Sequence, residues 1–373
     1  MPAEITIRPV VSKRDEKQFI RFQWKVYEGN PYWVPPLLMD RKKLIDRKKN
    51  PFYQHARMEL FLAEREGEIV GRIAAIVNDN HNREHNENIG FFGFFECVND
   101  QAVADVLFDA AASWLRSQGV AAMRGPASPS VNDEYGMLID GFDQSPAILM
   151  AYNPDYYPAL VEAYGFAKAK DLYAYALDGK KVFSEKFVRV SEAVRNRSGV
   201  VIRPMNMKDF DNEVKIIHEL YTRGWERNWG EVPLTDDEFN YMAKDLKPVV
   251  VPELVIIAEL KGKPVGFGMT LPDLNMVLKE NKKGYLIPAL FRLMLHKKKI
   301  NHCRIVILGV LPEYMNTGIG GLLFYETGRR GVANGYPYGE ASWVLEDNVM
   351  MNRGAKLMSA DLSKTYRIYQ KPL

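Results

Sequence analysis

The sequence predicts two α+β domains in tandem, and three observations lead there. Length is the first: 373 residues, at about 150 per domain, point to two domains. The second is an internal repeat. Ile7-Arg8-Pro9 returns as Ile202-Arg203-Pro204, and Ala63-Glu64, Gly67 and Val70-Gly71 return as Ala258-Glu259, Gly262 and Val265-Gly266, each match 195 residues apart. One shared tripeptide means little, but several in one register indicate duplication. The third is the order of elements, which both copies share.

Each copy opens on a short strand at its Ile-Arg-Pro. The next matched stretch is an apolar run, a glycine turn and another apolar run, the pattern of a β-hairpin. Residues 91–98 and 304–311 are strand-like. Residues 103–116 and 319–333 carry helical apolar spacing, and Gly119 and Gly335 stand where C-terminal caps belong. Gly165 and Gly354 precede aromatic-rich closing strands, one with Tyr173 and Tyr175, the other with Tyr366 and Tyr369. The interval between copies widens after residues 275–300, which read as an insertion. Between the copies, Val182, Phe183, Phe187, Val190 and Val194 recur at helical spacing and predict a connecting helix over 181–199. Domains are therefore expected at 1–180 and 200–373.

Composition narrows the function. With 47% hydrophobic and 26% charged residues, the chain has the makings of real cores and is not disordered. Fifty Lys and Arg against 47 Asp and Glu leave a net charge of only +3, too little for a nucleic-acid binder. Cys97 and Cys303 have neither disulfide-framework nor zinc spacing, so a reducing cytoplasm is expected. No signal peptide and no membrane span are expected. His81 to His85 matches H-x-x-E-H, but the segment is polar throughout, so a solvated loop is expected and no metal. Residues 286–295 form an amphipathic apolar stretch before Lys297-Lys298-Lys299. A helix packed on its domain, with lysines favoured at its C-terminus, is expected ahead of contact with an anionic membrane. The assembly is expected to be a monomer or homodimer.

The chemistry-bearing segment is the apolar strand ending Leu308-Gly309-Val310, a short turn, then Met315-Asn316-Thr317-Gly318-Ile319-Gly320-Gly321 at the head of an amphipathic helix. Glycines there let backbone N–H groups approach an anion, and the helix N-terminus favours negative charge. A P-loop would need Gly-Lys-Ser/Thr, and a dinucleotide fingerprint a third glycine.

Strand, G-x-G-G and helix, late in an α+β domain, resemble motif A of the GNAT acetyltransferase superfamily. The resemblance covers about residues 200–373 and implies, for each copy, a mixed, mostly antiparallel sheet flanked by helices. It implies acetyl-CoA or another acyl-CoA as cofactor, its pyrophosphate on residues 315–321 and its pantetheine and thioester along Leu308, Gly309 and Val310. Asn348 stands where the family's motif-B asparagine stands. Two positions depart from the pattern: Met315 replaces an Arg or Gln, and Ala355 replaces the tyrosine that protonates the thiolate. In the first half, Asn99-Asp100-Gln101-Ala102 occupies the glycine-loop position, so that copy looks degenerate.

The implied activity is acyl transfer to the amine of a small molecule or peptide. A Fem-type transferase using aminoacyl-tRNA, and a non-catalytic acyl-CoA sensor, are the alternatives. Strand alternation puts Glu340, Ser342, Val344 and Glu346 on one face, and Glu346, nearest Asn348, is the candidate base, with helix capping or pairing with Arg353 as its competing role. Tyr314 and Tyr366 are candidates for the missing acid. The first half is expected to supply the acceptor site, through Asn132 and Glu134 in the polar loop 128–136 and through Tyr152.

Overall fold

A computed structural model describes residues 4–225 and 228–373. In chain order the strands are β1 (Ile5–Pro9), β2 (Ala56–Arg65), β3 (Glu68–Asn78), β4 (Ile89–Cys97), β5 (Ala122–Gly125), β6 (Ala127–Ser128), β7 (Glu134–Tyr135), β8 (Met137–Asp140), β9 (Ala167–Asp178), β10 (Val200–Pro204), β11 (Val255–Leu260), β12 (Lys263–Pro272), β13 (His302–Val310), β14 (Tyr338–Leu345) and β15 (Asp361–Pro372).

Two compact units result. One comprises Met1–Leu172, Leu278–Arg292 and Lys364–Leu373, the other Tyr173–Val277 and Leu293–Ser363. This differs from a division at 180 and 200, because part of the insertion and most of the closing strand belong with the first unit. The reason is strand pairing. β15 runs antiparallel to β5, from Tyr369 opposite Gly125 to Pro372 opposite Ala122, and β8 pairs β15 at Tyr366 and Arg367.

The first unit orders its strands β1-β2-β3-β4-β5-β15, antiparallel except for the β4–β5 pair. The second orders β10-β11-β12-β13-β14, again with one parallel pair, β13–β14. The repeated residues are the ones this shared plan needs. Ile7 faces Ala63 and Ile202 faces Ala258. Arg8 Nε donates to Glu64 Oε1 at 2.7 Å, and Arg203 Nε to Glu259 Oε1 at 2.7 Å. Glu66-Gly67 and Lys261-Gly262 both take positive φ, the two-residue hairpin geometry that asks for glycine.

The long helix of the first unit, Gln101–Ser117, buries Val103, Leu107, Phe108, Ala111 and Leu115 on one stripe; its equivalent, Ile319–Ala333, buries Ile319, Leu322, Leu323 and Phe324.

Three local expectations are corrected. The connecting helix is two helices, Gly179–Val182 and Glu185–Ser198. Ser184 caps the second, and Phe183 leaves the helix to pack over Gly328. The H-x-x-E-H segment is a helix, Asp79–His85, with His81 fully buried rather than solvated. Its Nε2 lies 2.9 Å from Glu87 Oε2 and its ring meets Phe91 edge-on. Third, the insertion helix Leu286–His296 turns only Ala289 fully inward. Among the described residues no helix is long and apolar enough to cross a membrane.

Candidate active site

The second unit has a fork in its sheet. β13 pairs β14 only from His302–Tyr338 to Ile305–Ala341, yet β13 runs on to Val310 and β14 to Leu345. A bulge in the β12–β13 ladder falls at the same level, between Met269 and Thr270, and bends the strand there. Leu311 donates its N–H to Val265 O at 2.9 Å, towards β12. N–H directions alternate along a strand, so Val310 and Leu308 aim theirs into the fork. Gly309 differs from expectation in this respect: by the same alternation its N–H points to β12, where it lies opposite Phe267.

A buried polar network closes the bottom of the fork. Arg304 Nε donates to Ser342 Oγ at 2.9 Å and its Nη2 to Ser342 O at 3.0 Å; Ser342 Oγ donates to Glu340 Oε1 at 2.8 Å. All three residues are buried. Arg304 stands at the head of the apolar run 305–308, and nothing in the local sequence marks it as buried.

Beyond β13, residues Met315 to Gly318 form an exposed loop leading into the helix Ile319–Ala333. Gly318 takes φ +86° as the helix N-cap and provides no side-chain cap. Thr317 Oγ1 accepts from the N–H of Ile319 at 3.4 Å, and Leu322 N–H reaches Gly318 O. The N–H groups of Gly320 and Gly321 lie in the first turn, where a helix has no carbonyl of its own to offer them. A side chain at Gly321 would meet nothing within 4 Å, and one at Gly320 only Val310 Cγ2 at 4.0 Å. The loop is thus an open cradle of N–H groups, suited to a pyrophosphate.

The equivalent place in the first unit is filled. Asp100 caps the helix Gln101–Ser117, accepting from Ala102 N–H at 2.9 Å, and pairs Arg65 at 2.6 Å. The Arg65 hydrogen bond holds its carboxyl below the usual range. A fixed carboxylate therefore sits where an anion would bind. The β4–β5 ladder also stops, at Phe91–Arg124, but Phe94 N–H bonds Ser128 Oγ at 2.8 Å. A Cβ on Gly93 would sit 1.7 Å from Ala127 O, so backbone occupies that gap.

The remaining predicted residues fall as follows. Glu346 does not extend the Glu340–Ser342 row, because β14 ends at Leu345. It lies in the next turn, where Asn352 Nδ2 donates to the carbonyls of Leu345 (3.0 Å) and Glu346 (3.3 Å). Asn348 caps the helix Val349–Leu357, accepting from Met351 N–H. Asn352, which sequence reasoning missed, also accepts from Tyr175 Oη at 2.7 Å. Tyr314 is half-buried at the head of the glycine loop. Tyr366 is fully buried, opposite Leu138 in the first unit. Tyr152 Oη donates to Phe142 O, Glu134 holds Arg41 with both oxygens, and Asn132 N–H bonds Ser130 Oγ. Glu134 and Tyr152 thus brace the fold of the first unit.

Sequence reasoning also missed Glu231. It is half-buried beside Tyr221, whose hydroxyl donates to it; desolvation there raises its pKa to about 7 against the pull of that bond. Tyr221 lies one turn before Gly224 on the helix Phe210–Trp225, and a Cβ on Gly224 would come 3.8 Å from Val310 O. Helical neighbours three apart share a face, so Tyr221, which holds this carboxyl, lies on the face of the helix that Gly224 turns to Val310. Nothing in the local sequence marks it.

The forked sheet, the glycine-led helix and the doubled strand order define a tandem GNAT-fold protein. A tandem GNAT protein from the clavulanic acid biosynthesis pathway superposes with a TM-score of 0.58 at 11% identity, over 99% of this chain and 98% of that one. The GCN5-related glucosamine N-acetyltransferase region of a fungal β-N-acetylglucosaminidase gives 0.60 at 14% identity, over all of this chain and 38% of that one. No protein-family profile matches the chain. By sequence it is 35% identical over 380 residues to the bacterial ceramide synthase of Caulobacter vibrioides, covering 100% of this chain and 98% of that protein. It is 34% identical over 375 residues to protein YghO of Escherichia coli, covering 98% and 95%. The chain belongs to the family of these two proteins.

Proposed function

We propose that the protein transfers an acyl group from acyl-CoA to the amine of a sphingoid base, a long-chain amino alcohol, forming a ceramide-type amide. The observation that carries acyl-CoA is the fork opening beside an uncapped, glycine-led helix in one unit only. The acceptor rests on full-length similarity to the Caulobacter ceramide synthase.

In this reading Gly318, Gly320 and Gly321, with the N–H groups of the first helical turn, hold the pyrophosphate. The Leu308 and Val310 N–H groups line the pantetheine and polarise the thioester carbonyl. The amine nitrogen attacks that carbonyl; the C–N bond forms, the C–S bond breaks, and the nitrogen's proton passes to a carboxylate and on to the departing thiolate. Glu231 suits the proton-accepting role, since its proton affinity lies near neutral pH. Glu346 is the second candidate, and Tyr314 the candidate acid. Tyr366, enclosed in the first unit's core, takes no part.

The absent motif-B tyrosine, replaced by the buried Ala355, favours one competing reading, an acyl-CoA sensor. Incubation with acyl-CoA and a panel of amines separates the two, with free thiol and amide followed together. The expected result is amide formation with long-chain amino alcohols and little with amino acids or aminosugars. Binding of acyl-CoA without turnover on any amine would establish the sensor, and no binding would overturn both readings.

A further inference from the structure

We infer that the helix Leu286–His296 seats the protein on the surface of an anionic lipid bilayer. An amphipathic helix of a globular protein turns its apolar stripe to the core; this one does the reverse. Ile287, Leu290, Phe291, Met294 and Leu295, at the i, i+3, i+4, i+7, i+8 spacing of one face, are all exposed, Ile287 at 81% and Met294 at 71%. The opposite face holds the buried Ala289, with Arg292 and His296 half-buried.

The helix is held in this attitude by its lead-in, which is fastened to the first unit. Trp24 Nε1 donates to Lys282 O at 2.7 Å, Arg21 to Lys283 O at 3.2 Å, and Leu38 N–H to Gly284 O at 2.9 Å. Gly284 takes φ +69°, and a Cβ there would stand 2.5 Å from Pro36 O. The close fit needs glycine and sets the direction in which the helix departs.

Charge selects the occupant. Lys282 and Lys283 precede the stripe and Lys297, Lys298 and Lys299 follow it, while Glu280 is the one acid between residues 279 and 300. An apolar stripe between clusters of cations matches the boundary of a bilayer, with acyl chains beneath and anionic headgroups around it. A second copy of the chain would place the same lysines against each other. The inference stands on the helix itself, and vesicle binding is read without turnover, so its failure leaves the acyltransfer proposal untouched.

The test is flotation of the full chain with vesicles of phosphatidylcholine alone or with about 30% phosphatidylglycerol, which gives the surface the negative potential that attracts lysines. Binding to the anionic vesicles is expected at least tenfold tighter than to the neutral ones. Ile287→Glu with Met294→Glu should lower it at least tenfold, with the melting temperature unchanged because both side chains are exposed. Lys297→Gln, Lys298→Gln and Lys299→Gln together should weaken it and flatten its salt dependence. A Phe291→Trp variant should gain a blue-shifted component only with anionic vesicles. Absence of binding, equal binding to both vesicles, or a solution dimer that Ile287→Glu dissociates would overturn the inference, the last assigning the face to a second copy.

Discussion

Replacing Gly321 by glutamate should strengthen the fold and weaken the binding of acyl-CoA, and the two signs together test the cradle. Gly321 is the third residue of the helix Ile319–Ala333, and a Cβ there meets no atom within 4 Å. No steric cost opposes the change. Leaving glycine gains about 0.5 kcal/mol of helix propensity, and a carboxylate in the first turn gains a further ~0.3–1 kcal/mol from the helix dipole. The sum, about 1 kcal/mol, should raise the melting temperature by roughly 2–4 °C for a unit of this size. The same carboxylate would stand about 5 Å from a bound pyrophosphate. Two negative charges at that distance cost about 1 kcal/mol in bulk water and about 3 kcal/mol at the effective dielectric of a protein surface, or roughly 5- to 150-fold in affinity. Thermal melting by circular dichroism and calorimetry with acyl-CoA measure the two effects. Gly321→Ala, which adds a methyl without charge, should keep the stabilisation and lose much less affinity. A Gly321→Glu protein that binds within threefold of wild type would refute the cradle, and one that melts lower would refute the open space around Gly321.

Two further outcomes concern protons. If Glu231 accepts the amine proton, kcat/KM should rise with pH through about 7, and Glu231→Gln should lose that limb along with at least tenfold in rate. The same raised pKa means that folding stability is full below the unfolded carboxyl value near 4.5 and falls as pH climbs through 7. The Gln variant should therefore gain relative stability at pH 8, and a wild-type urea midpoint equal to the variant's at both pH 5 and pH 8 would contradict the desolvation. His81 works in the other direction. Burial lowers its pKa to about 4, with the Glu87 hydrogen bond opposing, so its contribution is full above 6.5 and lost as pH falls towards 4. Up to about 3 kcal/mol should disappear in that window, and urea denaturation of His81→Phe should show a shallower acid slope.

How much of this was legible in the sequence depends on the range of the interaction. The repeat was legible because Arg8 with Glu64, and Arg203 with Glu259, are hairpin partners that both copies need. The glycine loop was legible because backbone exposure is written locally. The pairing of β15 with β5 was not, since strand partners hundreds of residues apart leave no local mark. For the insertion helix the periodicity located a stripe, yet periodicity does not say which way a stripe faces. His81 was misjudged because a polar string hid a single inward residue, satisfied by Glu87 from beyond its own helix. Glu346 was placed one residue too far along its strand, because the Asn352 amide draws the Leu345 and Glu346 carbonyls into a turn.

β15 also bears on synthesis. Its residues from Lys364 onward belong to the unit built mainly from Met1–Leu172, and Tyr369 lies fully buried in that unit's core. As the chain leaves the ribosome, β1 to β5 exist long before the strand that completes the order β1-β2-β3-β4-β5-β15. Until residue 372 emerges, β5 presents an open edge to every other nascent chain nearby. The strand that closes the first unit is thus translated only after the whole of the second.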